Sequence, residues 1–275
     1  MTCVLLTGAT GFLGRQILLE LSSLDARIRL VVRSGSEKQI PEHISTDVII
    51  TQDMFRESTD WWENVCNGVD IVIHAAWSMK YEEYVDSVDN FFCLEGSLNL
   101  ARGAVQSGVR KFVGIGTCAE YNPIHGYLSV TTPLKPSNLY SSSKVALFNM
   151  LDSWLPSQNV DFIWARIFNL YGENENPNRL VSYVHNRLKS GQIAELSDGS
   201  LIRDYLDVGV AGKDIVSLAL SDQIGPFNIC SGEPKTIREI AEAIADEYQS
   251  RELLRFNSQK KYRFDAPCIV GIKNY

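Results

Sequence analysis

Apolar residues along this chain come in short continuous blocks, and the stretches between several of them are spaced like helices. "CVLLT" (3–7), "RIRLVVR" (27–33), "DVIIT" (47–51), "VDIVIHAA" (69–76), "KFVGI" (111–115) and "DFIWARI" (161–167) are β-rich blocks of strand length. The unbroken apolar character of 69–76 is that of a strand covered on both faces, as in a parallel sheet. After the first block Phe12, Leu13, Ile17, Leu18 and Leu21 recur at helical spacing. Further helices are predicted over about 86–107 and from near Tyr140 to about Trp154. This order predicts an α/β fold, a Rossmann-type doubly wound parallel sheet with helices on both faces. Past about residue 170 the rhythm loosens and "GENENPN" reads as a polar loop, which predicts a smaller C-terminal lobe.

Composition narrows the classes. A chain of 275 residues, 45% hydrophobic and 21% charged, buries a large core as one domain or as a domain with a lobe. The net charge of -7 argues against a nucleic-acid partner, since nothing concentrates positive charge for phosphates. No apolar run approaches the ~18 residues a spanning helix needs, so no membrane partner is expected. The start, "MTCVLLTGATGFLG", has no basic segment or cleavage site, and a cytoplasmic location is expected. Cys3, Cys66, Cys93, Cys118, Cys230 and Cys268 form no CxxC pair, and His43, His74, His125 and His185 show no metal spacing. Reduced thiols and no metal are expected.

Two motifs carry chemistry. Gly8, Gly11 and Gly14 in "TGATGFLG" follow a strand and open a helix. Such glycines allow a tight turn, let backbone approach a pyrophosphate, and leave the helix's first N–H groups free for it. The bland alternative is a glycine-rich turn with no ligand. A dinucleotide site also expects a carboxylate at the end of the second strand, for the ribose 2′-hydroxyl. "LVVRSG" puts Arg33 and Ser34 there. An arginine suits a 2′-phosphate, which favours NADP(H) over NAD(H); the alternative is a solvated surface arginine. Asp53, after the third strand, is placed for the adenine amino group or is a plain turn aspartate. In "YSSSK", Tyr140 and Lys144 lie four apart on one helix face, and a nearby ammonium favours the phenolate.

"TGATGFLG", "DIVIHAA", "GTCAEY", "YSSSK", "RIFNLYG", "RDYLDV" and "FNICSGEPKTIREIAEAI" resemble, in order and spacing, the extended short-chain dehydrogenases/reductases that act on nucleotide sugars. The resemblance covers nearly the whole chain. It implies a dinucleotide-binding domain over 1–165 with a returning segment near 204–231, and a substrate-binding lobe made mostly of 166–275. It implies that Tyr140 is the catalytic acid/base. Lys144 would hold the nicotinamide ribose and lower the tyrosine's pKa, and Thr117 would hydrogen-bond the reacting oxygen. The implied cofactor surface takes in Gly8, Thr10, Gly11, Phe12, Leu13, Arg33, Ser34, Asp53, Met54, His74, Ala75 and Ala76, besides Tyr140 and Lys144. Asn169 would meet the diphosphate and Arg203 the nucleotide half. The helices at 86–107 and 140–154 resemble those of a four-helix homodimer interface; their apolar positions could equally cover the sheet.

Departures from the family pattern set the expected reaction. In its 4,6-dehydratases an Asp-Glu pair follows the threonine; here Cys118 and Ala119 do. Glu120 comes one place later and, on an extended segment, would point away. Cys118 is read as a small residue beside the substrate rather than a nucleophile. Cys93 stands where many members carry an asparagine. Trp77, Lys80 and Tyr81 fall at the substrate rim, where Trp77 could stack on a sugar or pack the lobe. The last residues, "CIVGIKNY", come before the family's usual final strand and helix, so the lobe is trimmed or the chain truncated. The expected activity is NADPH-dependent reduction of a nucleotide-linked keto-sugar, at C4 of a 4-keto-6-deoxy sugar. The alternatives are a 4-epimerase retaining NAD and a non-catalytic NADP-binding sensor.

Overall fold

The computed structural model describes residues 1–79, 84–257 and 266–275. Seven strands form the central sheet: β1 (Thr2–Thr7), β2 (Ala26–Arg33), β3 (Asp47–Thr51), β4 (Ile71–His74), β5 (Lys111–Thr117), β6 (Asp161–Ile167) and β7 (Gly225–Ile229). Their order is β3-β2-β1-β4-β5-β6-β7, and every neighbouring pair is parallel. The order reverses between β1 and β4, and ligands of such sheets bind outside the carboxyl ends of the strands at that reversal.

Alternate residues of each strand feed two cores. Val4, Leu6, Ile73 and Val113 face α1 (Phe12–Ser22) and a helix that returns later in the chain (Val208–Leu220). Leu5, Val72, Phe112 and Trp164 face α2 (Thr59–Cys66), α3 (Asp89–Gln106) and α4 (Leu139–Trp154). Both cores are apolar, which is why the strands read as continuous blocks rather than alternating ones. The two-turn α2 was not foreseen. Ser58 caps it by accepting the Trp61 N–H at 3.2 Å, and its Trp62 is fully buried. Gly103 of α3 lets the two helices touch; a Cβ there would lie 2.5 Å from the Trp62 Cβ.

The lobe is interleaved with the sheet. Its four-stranded sheet runs Lys235–Thr236, Ile202–Arg203, Cys268–Gly271, Tyr127–Leu128, so one strand comes from the segment between β5 and α4. A separate core holds α5 (Leu180–Lys189) against another helix (Ile237–Glu247). In chain order the helices Val208–Leu220 and Ile237–Glu247 are α6 and α7. Together α6 and β7 return the chain to the central sheet. No described helix is long and apolar enough to cross a membrane.

Candidate active site

The turn after β1 is built by backbone contact. Gly8 has φ +76°, and a Cβ on it would lie 2.7 Å from the Ala76 nitrogen, so the loop Ala75–Ala76 closes directly on it. A Cβ on Gly14 would lie 2.0 Å from the Gly8 carbonyl oxygen. α1 starts at Gly11 with no side chain capping it, which leaves its first N–H groups and its positive dipole end to an anion. Thr10 and Phe12 line this turn half-buried, and Leu13 packs on the core behind it.

His74 fixes the loop opposite. Ser97 Oγ donates to the Cys93 carbonyl at 2.6 Å, so it accepts from His74 Nε2 at 2.7 Å. The other ring nitrogen therefore accepts, from Thr7 Oγ1 at 2.8 Å, while Thr7 itself accepts the Ala76 N–H at 3.3 Å. The ring is neutral, and burial lowers its pKa to about 3. Cys93, in the asparagine's place, accepts the Ser78 N–H on its sulfur at 3.3 Å and so supports the same loop.

The residues beyond β2 and β3 lie at the carboxyl ends of the two strands to one side of β1. Arg33 is exposed at the tip of β2, and its guanidinium makes no hydrogen bond or ion pair among the described residues. The Ser34 N–H is committed to the Thr51 carbonyl at 2.8 Å. Asp53 caps the turn Met54–Arg56 by accepting the Phe55 N–H at 3.0 Å. Sequence reading found no carboxylate near Arg33. One oxygen of Glu37, in the turn Glu37–Gln39, is nevertheless buried without a partner. A free arginine, an orphaned carboxylate oxygen and an uncapped helix start fit the phosphates and ribose of a dinucleotide.

At the end of β5 the chain does not stay extended. Cys118–Glu120 form a 3₁₀ turn capped by Thr117, whose Oγ1 accepts the Ala119 N–H at 3.2 Å. Glu120 is consequently turned back into the protein, fully buried. Its carboxylate accepts the Thr117 N–H at 2.8 Å, the Trp164 indole N–H at 3.0 Å and the Arg166 Nε–H at 2.7 Å. Arg166 lies between the rings of Tyr121 and Phe148. Two glycines inside β5 make room for this. A Cβ on Gly114 would lie 2.5 Å from the Trp164 ring, and one on Gly116 2.6 Å from Glu120 Oε1. The expectation that Glu120 points away along an extended segment is thereby replaced: the turn buries it.

Tyr140 is bracketed by two rings met edge-on, Tyr84 at 5.1 Å and Trp77 at 6.3 Å between centroids. The Trp77 indole is fixed by donating to Asn90 Oδ1 at 2.8 Å. Burial, then Tyr84, push the phenol above its ordinary pKa, while the hydrogen-bonding Thr117 side chain pulls the other way. Lys144 lies one turn further along α4. Its Nζ donates to the Ile115 carbonyl at 2.8 Å and lies 3.7 Å from the centre of the Trp77 ring. Burial lowers the Lys144 pKa to about 7, partly opposed by Glu120. Helical spacing puts both side chains on one face, and burial acts on each, raising the phenol and lowering the ammonium.

On the substrate side Cys118 packs with Tyr121, Leu128 and Phe168. Burial pushes its thiol up to about 12, the state of a space-filling group and not of a nucleophile. Asn169 donates to the Asp204 carbonyl at 3.0 Å. The Arg203 guanidinium donates to the Ile202 and Ala266 carbonyls, both at 2.9 Å. Lys80 and Tyr81 lie outside the described residues. Sequence reading missed Asp204, a buried carboxylate accepting from Ser231, Gly232 and Gly271, and missed Tyr84 and the Glu120–Arg166 pair. For Glu120 a signal existed: "TCAE" has the T-x-x-E spacing of a capping box.

A doubly wound sheet whose glycine turn opens on a Thr–Tyr–Lys cluster defines a dinucleotide-dependent enzyme of the short-chain type. The sequence profile of the NAD dependent epimerase/dehydratase family matches residues 4–230. The chain belongs to that family. It is 22% identical over 279 residues to the dTDP-6-deoxy-L-talose 4-dehydrogenase (NAD(+)) of Aggregatibacter actinomycetemcomitans, covering 98% of this chain and 99% of that protein. Its fold is similar to that of UDP-N-acetylglucosamine 4-epimerase from Methanobrevibacter ruminantium M1, with TM-score 0.88, 21% identity, and 99% and 89% of the two chains covered. The UDP-glucose 4-epimerase of Thermus thermophilus, solved with NAD, gives TM-score 0.83 at 23% identity over 99% and 91%.

Proposed function

We propose that the protein reduces the C4 keto group of a nucleotide-linked 4-keto-6-deoxy sugar, with NADPH as co-substrate. The observation that carries the reading is the pairing of Thr117 with Tyr140 beside a turn whose carboxylate, Glu120, is buried in an ion pair with Arg166 and so not free to eliminate water. The relative named as a 4-dehydrogenase (NAD(+)) of a dTDP-linked 6-deoxy sugar supports redox chemistry at C4, while the choice of NADPH rests on Arg33. Bound NADPH supplies the hydride. Tyr140 donates its proton to the oxygen that becomes a hydroxyl, and Thr117 hydrogen-bonds that same oxygen. Lys144, poised near neutrality, holds the nicotinamide ribose. Gly8, Gly11 and the start of α1 take the pyrophosphate, Arg33 the 2′-phosphate, and Asn169 and Arg203 the substrate's nucleotide. Trp77 walls the site through Tyr140 and Lys144 instead of standing free at its rim.

A second reading, a 4-epimerase that retains NAD, is favoured by Glu37, whose orphaned oxygen suits a ribose hydroxyl. Incubation with nucleotide-linked 4-keto sugars and each reduced cofactor separates the two. Reduction consumes one cofactor per product, adds two hydrogens to the sugar's mass and transfers deuterium from labelled cofactor. An isomer of unchanged mass with no net cofactor use overturns it. The exposed Phe91 of α3 and Met150 of α4 are proposed as part of a homodimer face. Light scattering should give twice the monomer mass, reduced by Phe91→Arg; a monomeric wild type refutes this.

A further inference from the structure

We propose that Glu120 is a positioning residue of this active site: paired with Arg166, it holds Thr117 in place and sets the charge felt by the proton-carrying groups. The inference rests on the reductase reading only for the reaction in which it is measured. The geometry is specific. Glu120 is the acceptor of the Thr117 N–H, and the Thr117 hydroxyl in turn accepts the Ala119 N–H. One lone pair of that hydroxyl is thus used by the turn, and its O–H is left for Tyr140 or a substrate oxygen. The carboxylate's remaining contacts, Trp164 and Arg166, both come from β6. Arg166 also donates to the Tyr121 hydroxyl at 3.3 Å. Displacing Glu120 therefore releases the residue that carries the reacting hydroxyl. Gly116 is needed for the approach, since any side chain there would collide with both Glu120 and Trp164.

The same carboxylate acts through charge. It raises the Lys144 pKa against the burial that lowers it, and it is among the causes that raise Tyr140. Tyr140 faces Tyr84 from the loop before α3, and Thr117, Cys118 and Glu120 from the end of β5. Lys144 faces Glu120, Cys93 of α3 and His74 of β4. Among these groups Glu120 carries the negative charge, and Arg166 balances it.

Two variants separate holding from charge. Glu120→Gln keeps an acceptor for the Thr117 N–H but leaves Arg166 unbalanced, so both pKa values fall. The pH profile of kcat should move about one unit to lower pH. The double variant Glu120→Leu/Arg166→Met leaves no lone buried charge and removes the acceptor. Its kcat should fall on the order of 10²-fold with reduced-cofactor affinity retained. Cofactor binding is titrated by fluorescence from about pH 5.5 to 8.5 without substrate, where the midpoint reports Lys144. Glu120→Gln should lower that midpoint as well. A wild-type midpoint and pH profile in folded Glu120→Gln, or wild-type kcat in the double variant, overturns the proposal. If the wild type reduces no keto-sugar, the reductase reading falls and the cofactor midpoint still decides Glu120.

Discussion

Lys144→Met removes a buried cation of the site, and its effect on stability is a matter of linkage. The folded lysine has its pKa lowered from 10.5 to about 7 by burial. Between those values the unfolded chain binds a proton that the folded chain does not, so wild-type stability rises with pH across that window. Integrating over one site, the penalty of burying Lys144 is about 4 kcal/mol near pH 7.5 and about 2 kcal/mol near pH 9. Methionine of similar length carries no such penalty. It leaves the Ile115 carbonyl without its donor, a cost of about 1–3 kcal/mol that does not vary with pH. The stability difference, Lys144→Met minus wild type, should therefore fall by about 2 kcal/mol from pH 7.5 to pH 9. Buried thiols are pushed well above pH 9 by burial, so they stay protonated in the folded state of both proteins over this range and cancel. Urea unfolding at four pH values measures the difference, and turnover should be lost in the variant throughout. A stability difference constant to within about 0.5 kcal/mol across that range would show that Lys144 is not desolvated as the structure has it.

Tyr140→Phe should cost on the order of 10²–10⁴ in kcat while cofactor still binds; near-normal turnover of a confirmed substrate refutes its role. Arg33→Ala should weaken NADP(H) much more than NAD(H), and Glu37→Gln the reverse; calorimetric titration of both cofactors decides which of the two residues reads the ribose. His74, lowered from 6.5 to about 3 by burial, must take up a proton to unfold, so stability is lost as pH falls through that window. Relative to His74→Gln, the wild type should lose about 2 kcal/mol between about pH 6 and 4.5, and equal losses in the two would contradict a buried neutral ring.

The central strands were legible because both faces of the sheet are covered, which writes each strand as an apolar block. β7 was harder. "GPFNI" opens with Gly225 and Pro226, and it lies at the sheet edge where a missing N–H is tolerated. The lobe's strands Lys235–Thr236, Ile202–Arg203 and Tyr127–Leu128 are too short to show any period. For the candidate site, spacing put Tyr140 and Lys144 on one helix face and the family resemblance picked out Thr117, but neither shows what each side chain faces. Lys144 turns to a carbonyl and an indole ring brought in from β5 and the β4 loop. Glu120 was misplaced by assuming an extended chain through a segment that the T-x-x-E spacing bends.

The excursion between Thr117 and Tyr140 has a consequence for how the molecule comes apart. That stretch supplies a lobe strand, and Asn228 of β7 clamps it by donating to the Leu128 carbonyl at 2.8 Å while accepting from Tyr121 at 2.7 Å. The lobe is thus sewn into the sheet by a strand in each direction, and neither half is a detachable cassette. Local opening of the lobe pulls on the segment between Thr117 and Tyr140. Exchanging lobes between relatives would mean cutting inside the stretch between Thr117 and Tyr140, because a strand of the lobe lies there.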